Sequence, residues 1–576
     1  DSQTAVLLQS GEEIFRCAIN DVEALDKLIS LFIAYERPEI HDFRDAIEHF
    51  KEDLPTILET LREMINAQFK TNKTFATSFN KFWEICKTSI NPEITTADIR
   101  EMMIQHILTE EIFVTIFNES QFHRENNIAH ELQTVVDTFF TGRTKRELLS
   151  SLDRYYLVIK AAAAGIYNHH EKQKFLKVVY ENFYKAYNPK GADRLGIVYT
   201  PNEIVRFMVE SADYLTHKHF GKLLEDKNVE ILDPASGTGT FITELIEYIG
   251  KSKLEYKYKN EIHCNEVAIL PYYIANLNIE FSYKQKMERY EEFKNICFVD
   301  TLDNLGFGFK GKQDTLDFGF GVENAERIKR QNKRKISVII GNPPYNANQQ
   351  NENENNKNRE YPNIDKRIKD TYIKHSTAQK TKVYDMYARF FRWASDRLSE
   401  NGIIAYITNR SFINSRTFDG FRKIIASEFN TVYIIDLGGD VRANPKLSGP
   451  KNNVFGIQTG VAIMFLVRDN NIFEAKTSKE FKDLKVRLNI VGEPVAVYRG
   501  QEYYSTQGCR IYYARRHEEE TAADKLQFLS TTKFSAISFD HIIPDKKGNW
   551  INLPENDFDT LLPLATKQTK LSKNTV

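Results

Sequence analysis

Ile231-Leu232-Asp233-Pro234-Ala235-Ser236-Gly237-Thr238-Gly239-Thr240-Phe241 is the stretch that decides the fold. Val229 to Leu232 make a short apolar run that empties into a turn with glycines at 237 and 239. Glycine there lets the backbone turn tightly and lets a ligand approach closely. Phe241 to Ile249 then continues with helical spacing, so the segment reads as strand, loop, helix. Free N–H groups at the start of that helix can hold a carboxylate. The loop carries Thr240-Phe241 where a triphosphate-binding loop needs Lys and Ser or Thr, which argues against ATP. It also lacks the third glycine of the dinucleotide fingerprint.

Downstream, strands and helices alternate. Glu261 to His263 read as a second strand, Pro271 to Phe281 as a helix, and Cys297-Phe298-Val299 as a short third strand. Ser337 to Ile340 form a buried fourth strand, followed by Gly402 to Ile407 and Val432 to Leu437. This alternation predicts an α/β fold with a parallel, doubly wound, Rossmann-like sheet covered on both faces, over residues 186–474. Residues 1–185 read as an α-helical domain, with helical periodicity in Asp42 to Phe69 and Ile99 to Phe117 and a helix-forming run at Lys160 to Ala164. Residues 475–576 change texture: Val486 to Tyr498 and Arg510 to Tyr513 alternate like strands, and a separate mixed α+β region is expected to begin there. Asn346 to Asn358 is Asn-rich and reads as a long loop.

Two further strand ends carry acids. Asn265-Glu266 ends the second strand, where a carboxylate can accept both hydroxyls of a ribose. Phe298-Val299-Asp300-Thr301 ends the third, where an acid can accept a hydrogen bond from an exocyclic adenine amine. Asp233 to Gly239, Glu266 and Asp300-Thr301 in series would read the methionine end, ribose and adenine of one S-adenosyl-L-methionine. Each acid alone would be an ordinary solvated strand-end residue; the order makes the set specific.

The fourth strand ends in Asn342-Pro343-Pro344-Tyr345. An adenine amine is a poor nucleophile because its lone pair is delocalised into the ring. The Asn342 side-chain oxygen and the Pro343 carbonyl can accept both amine hydrogens and free that lone pair. The two prolines hold these acceptors in advance. Tyr345 can stack on the base. Methyl transfer of this kind needs no metal ion and no strong general base.

These residues resemble the gamma-ordered class of N6-adenine DNA methyltransferases: Gly196-Ile197-Val198-Tyr199-Thr200-Pro201, then the Asp233 to Phe241 loop, then Asn342 to Tyr345, then a C-terminal target-recognition region. The resemblance gives Thr200 a contact with the cofactor's methionine end and places Phe241 against the adenosine. Tyr361 to Asp365, Asp370-Thr371-Tyr372, Tyr384 to Tyr387 and Phe391 to Arg397 look more narrowly like the methyltransferase region of type ISP restriction-modification enzymes. Residues 1–185 would then be the coupler, and 475–576 the start of the target-recognition domain. A nuclease and a helicase-like ATPase are expected on a longer polypeptide, since no Walker A motif occurs here. Double-stranded DNA is the implied partner. A flipped base needs a second aromatic wall, and Phe455 in Asn453 to Ile457 stands where this class carries one. N4-cytosine and, more remotely, protein glutamine methylation are the alternative chemistries.

Composition supplies limits. With 576 residues, 41% hydrophobic and 27% charged, the chain can bury large cores. A formal net charge of −1 gives no global attraction to nucleic acid, so any DNA footprint is local. The run Arg327, Lys329, Arg330, Lys333, Arg334, Lys335 can contact phosphates or form a solvated loop. Cys17, Cys86, Cys264, Cys297 and Cys509 are scattered and odd in number, which argues against disulfides and a zinc site and fits a reducing bacterial cytoplasm. No apolar stretch is long enough to span a bilayer. Asp1 at the start and the polar Lys567 to Val576 run at the end suggest a piece of a longer protein.

Overall fold

The computed structural model describes residues 4–9, 12–34, 38–90, 92–117, 126–164, 175, 187, 200–306, 322–345, 360–377, 383–441, 450–469, 496–498, 501–503, 509–545 and 548–551. Gly196 to Tyr199, the Asn346 to Asn358 loop, residues 486–495 and Lys567 to Val576 lie outside them. The chain forms two compact units, one of residues 1–86 with 93–189, the other of 87–92 with 190–576. No described helix is long and apolar enough to cross a membrane.

The first unit is mainly helical. Helix Pro38–Thr71 aligns Leu54, Leu58, Leu61 and Ile65 on one buried face, at the spacing its sequence dictates. Helices Lys73–Ser89, Thr96–Phe117 and Asp153–Ala164 bury Phe75, Phe79, Met103, Ile107 and Tyr155. A feature absent from the sequence-based reading precedes them: Thr4–Gln9 and Glu12–Ala18 pair as an antiparallel hairpin.

The second unit is built on a nine-stranded sheet. Its strands are β1 (Glu230–Asp233), β2 (Ile262–Glu266), β3 (Ile296–Phe298), β4 (Ile336–Gly341), β5 (Leu398–Asn409), β6 (Thr431–Gly438), β7 (Val461–Arg468), β8 (Arg510–Arg515) and β9 (Asp540–Ile542). Their order across the sheet is β9-β8-β6-β7-β5-β4-β1-β2-β3. Every residue of β1, β2, β6 and β7 is buried, as expected for strands covered on both faces. The covering helices include α1 (Asn202–Phe220), α2 (Thr240–Tyr248), α3 (Lys251–Asn260), α4 (Ile269–Met287), α5 (Val322–Asn332), α6 (Pro362–Ile368), α7 (Met386–Arg397), α8 (Asp419–Glu428) and α9 (Ala522–Thr531).

Two sequence-based expectations change. The sheet is not wholly parallel: β7 runs antiparallel to both neighbours, β5 and β6, and β9 is antiparallel to β8. Nor does a separate region begin at 475 for all that follows. β8 pairs in parallel with β6 from Arg510 opposite Thr431 to Arg515 opposite Asp436, so these residues extend the same sheet. The alternating pattern read in Arg510 to Tyr513 is that of an edge-side strand. Ala496–Tyr498 and Gln501–Tyr503 form a separate small hairpin.

Topology places the site. The chain leaves β1 toward β2 and β3 on one side, then returns to set β4 on β1's other flank. That reversal opens a crevice beyond the carboxyl ends of β1 and β4, where ligands of open α/β sheets bind.

Candidate active site

Asp233 ends β1 with no solvent exposure. Its Oδ1 accepts the Ala235 N–H at 3.0 Å, while Oδ2 is buried with no hydrogen-bond partner among the described residues. Burial pushes this carboxyl up to about 8, the Ala235 N–H opposing and the Glu266 charge adding to the rise. The loop beyond is pinned by hydrogen bonds from Ser236 N–H to the Asn265 carbonyl at 2.9 Å and from Asn278 Nδ2 to the Thr238 carbonyl at 3.0 Å. Gly239, at φ 83°, opens α2, and a Cβ there would stand 3.1 Å from the Ala275 Cα. Gly237 has φ 55° and open space on its free side. Phe241 is buried in the first turn of α2.

Glu266 ends β2. Its Oε2 accepts the Gly237 N–H at 2.9 Å, and its Oε1 accepts Val267 and Ala268 N–H at 3.0 and 2.8 Å. Burial outweighs these three donors and raises the carboxyl to about 7, with the Asp300 charge contributing. Asp300 follows β3 by two residues. Its Oδ1 accepts the Leu302 N–H at 3.1 Å and its Oδ2 the Tyr361 hydroxyl at 3.1 Å. Thr301 is engaged by the loop itself: its hydroxyl donates to the Pro234 carbonyl at 2.6 Å and accepts from Asn265 Nδ2 at 3.2 Å.

Asn342 follows β4 directly. Its Nδ2 donates to Thr200 Oγ1 at 3.0 Å, and its Oδ1 is buried without a partner among the described residues. Amides rarely bury an acceptor unmatched, so this oxygen stands ready for an incoming donor. Pro343 is buried and Pro344 half-buried. Tyr345 is 5% exposed, its hydroxyl likewise lacks a partner among the described residues, and burial holds the phenol well above its ordinary range. Its ring faces Phe455, with centroids 6.5 Å apart and planes at 55°. Phe455 is half-buried on a loop that Asn453 organises: Oδ1 accepts the Phe455 N–H at 2.9 Å, and Nδ2 donates to Gly439 and Thr459 carbonyls at 3.1 and 2.8 Å.

The structure therefore joins Thr200 to Asn342, Tyr345 to Phe455, and Gly237 to Glu266. Gly341 ties the two groups together, since a Cβ on it would lie 2.8 Å from Asp233 Oδ1. Sequence reasoning did not single out Gly341, although a glycine between a buried strand and the tetrapeptide was a signal. It also missed the Tyr361 contact, which no local pattern announces. The basic run divides: Lys329, Arg330, Lys333 and Lys335 are exposed, as a solvated run would be, whereas its first member is not. Arg327 is buried on α5 and pairs with Glu292 at 2.6 Å and with Glu323. Lys333 to Lys335 precede β4 and so lie at the strand end opposite Asn342. Arg392, within the narrower motifs, and Arg367 and Arg389, between them, make bidentate ion pairs with Glu428, Asp396 and Asp365 respectively.

Comparison with known proteins gives consistent results. Residues 47–171 match the family described as the coupler domain of type ISP restriction-modification enzymes, and residues 171–417 match the N-6 DNA methylase family. The fold is similar to DrdV in its complex with DNA, at 50% identity and a TM-score of 0.79, covering 100% of this chain and 53% of that one. It is also similar to the type ISP restriction-modification enzyme LlaBIII bound to DNA, at 32% identity and a TM-score of 0.77, covering 95% and 35%. A nuclease-deletion mutant of the type ISP enzyme LlaGI, in complex with a DNA substrate mimic, matches at 32% identity and 0.75, covering 90% and 40%. The type II methyltransferase M.BstVI of Geobacillus stearothermophilus is 23% identical over 250 residues, 42% of this chain and 38% of its own length. The chain thus spans about half or less of these relatives.

Proposed function

From a chain that carries a type ISP coupler domain followed by an N-6 DNA methylase domain, we propose an adenine-N6 DNA methyltransferase of a restriction-modification system, acting on a specific double-stranded sequence. S-adenosyl-L-methionine would supply an electrophilic methyl group. The residues fit this cofactor. Asp233 keeps a buried oxygen without a partner among the described residues, suited to its ammonium, and Gly237 leaves the loop backbone accessible beside Ala235, while Gly239 lets the loop pack closely on Ala275. Glu266 and Asp300 would take the ribose hydroxyls and the adenine amine, with Thr200 and Phe241 completing the pocket. Thr301 would act indirectly, by holding the loop at Pro234.

The observation that carries the reading is the unmatched Asn342 Oδ1. Thr200 fixes the amide's nitrogen side, so the oxygen's direction is set before substrate arrives. That oxygen and the Pro343 carbonyl accept the two hydrogens of a flipped adenine amine, which turns the nitrogen lone pair out of the ring. Tyr345 and Phe455 stack on the base. The product nitrogen then sheds its extra proton to water.

The test is methylation of plasmid DNA by the chain with labelled cofactor, with the modified base mapped by sequencing. Asn342→Ala should abolish transfer while changing cofactor affinity at most about tenfold, because one lost hydrogen bond to Thr200 contributes only about 0.5–1.5 kcal/mol. Transfer retained within a few-fold would remove Asn342 from the mechanism. Label on cytosine N4 would replace adenine as the target.

A further inference from the structure

We propose that Tyr361 is a positioning residue for the cofactor's adenine, its hydroxyl aiming the Asp300 carboxylate. The inference rests on the reading of Asp300 as the acceptor for the adenine amine. An aspartate at a strand end can rotate its carboxyl freely, so recognising one amine hydrogen requires that the group be held. Two donors hold it from opposite oxygens: Leu302 N–H on Oδ1 and Tyr361 OH on Oδ2, each at 3.1 Å.

Tyr361 is itself fixed more firmly than a pocket-lining ring requires. It is 6% exposed. Its backbone N–H donates to Asp365 Oδ2 at 3.0 Å. The Arg389 guanidinium lies 5.2 Å from its ring centroid, a cation–π distance. Arg389 in turn forks onto Asp365, from Nε at 2.7 Å and from Nη2 at 2.9 Å. Asp365 thus anchors both the backbone of Tyr361 and the cation over its ring, and from this assembly the Tyr361 hydroxyl reaches Asp300. This gives physical content to the Tyr-Pro-Asn-Ile-Asp segment: it carries a clamp for the third acid.

Calorimetry on the whole chain separates this role from a merely structural one. The probes are S-adenosylhomocysteine and S-inosylhomocysteine, which carries an exocyclic carbonyl oxygen in place of the amine. Tyr361→Phe keeps the ring and its Arg389 contact and removes only the hydroxyl. It should weaken the adenosyl ligand roughly tenfold, the lower end for a hydrogen bond to a charged group, and leave the inosyl ligand within about twofold. Arg389→Lys breaks the fork and should shift the same preference by less. Equal losses for both ligands, or no loss for either, would overturn the clamp. Asp300→Asn distinguishes the underlying reading: it should erase the preference for adenosyl, and an unchanged preference would dismiss Asp300 as the acceptor and the clamp with it.

Discussion

Asp233 and Glu266 meet the cofactor pocket as carboxyls raised by burial, to about 8 and about 7 from ordinary values of 3.8 and 4.5. A ligand that offers an ammonium and hydroxyl donors prefers both groups ionised. Near neutral pH the free protein holds protons on them that binding must expel. Cofactor affinity should therefore rise with pH between about 6 and 8.5, at most tenfold per unit for each group. Calorimetry in buffers of different ionisation enthalpy should register net proton release, and its absence at pH 7 would mean the carboxyls are already ionised. The same shifts have a stability sign. Folded values above the unfolded ones give stability that is complete below about pH 4 and lost as pH climbs through 7 to 8. At pH 8.5 the ligand-free protein carries a buried, half-matched carboxylate at Asp233. Asp233→Asn should then raise the melting temperature by a few degrees, about 2–4 °C per kcal/mol for a domain of this size, while weakening cofactor binding. A lower melting temperature would show that the carboxylate is better compensated than its contacts indicate.

At the level of elements, the site is where β1 and β4 lie side by side, with Glu230 opposite Ile336 and Leu232 opposite Ile339. Gly341 is the last residue of β4 and has no room for a side chain against Asp233. Gly341→Ala would press a methyl group to 2.8 Å from Oδ1, and the carboxylate, not the paired backbone, is the part able to move. We expect roughly tenfold weaker cofactor binding with a melting temperature close to the parent's; full affinity would show that the crevice has slack. Most of these elements were legible because buried parallel strands read as continuous apolar runs. Ile231-Leu232 and Val338-Ile339-Ile340 are such runs, and the site motifs follow at their ends. Val461 to Val467 is equally apolar, yet such a run carries no direction, and its antiparallel insertion between β5 and β6 follows from the chain's path. Asn342 and Tyr345 could be singled out as candidates from sequence because the proposed chemistry dictates residue type there. Tyr361 could not, because its partner Asp300 is distant in sequence and only tertiary folding joins them.

At the scale of the molecule, the sheet continues beyond the boundary that texture alone set at 475. β6 is buried along its whole length between β7 and β8. Tyr512 of β8 stacks on Tyr433 with centroids 5.0 Å apart and planes at 14°, and Tyr513 donates its hydroxyl to Asp436 at 2.8 Å. Asp436 is itself buried and paired with Arg410 at 2.7 Å. The following segment then grips the loop that carries Phe455. Lys525, fully buried on α9, donates to the Asn452 carbonyl at 2.8 Å, and Glu518 accepts the Gly439 N–H at 3.1 Å. Trp550 is 2% exposed, and Arg422 donates to the Gly548 carbonyl at 2.8 Å, so contacts continue to the last described residues. A chain cut after residue 475 would expose the backbone of β6 as a long, flat, apolar edge, the kind that pairs with other chains. It would also strip the supports from the loop that carries Phe455. Residues 1–475 should accordingly aggregate on expression or elute as large oligomers, whereas 1–551 should remain monodisperse and bind S-adenosylhomocysteine like the full chain. If 1–475 proved soluble and bound the ligand with parental affinity, β8 and α9 would be an appendage rather than part of the methyltransferase core, and the boundary would return to 475.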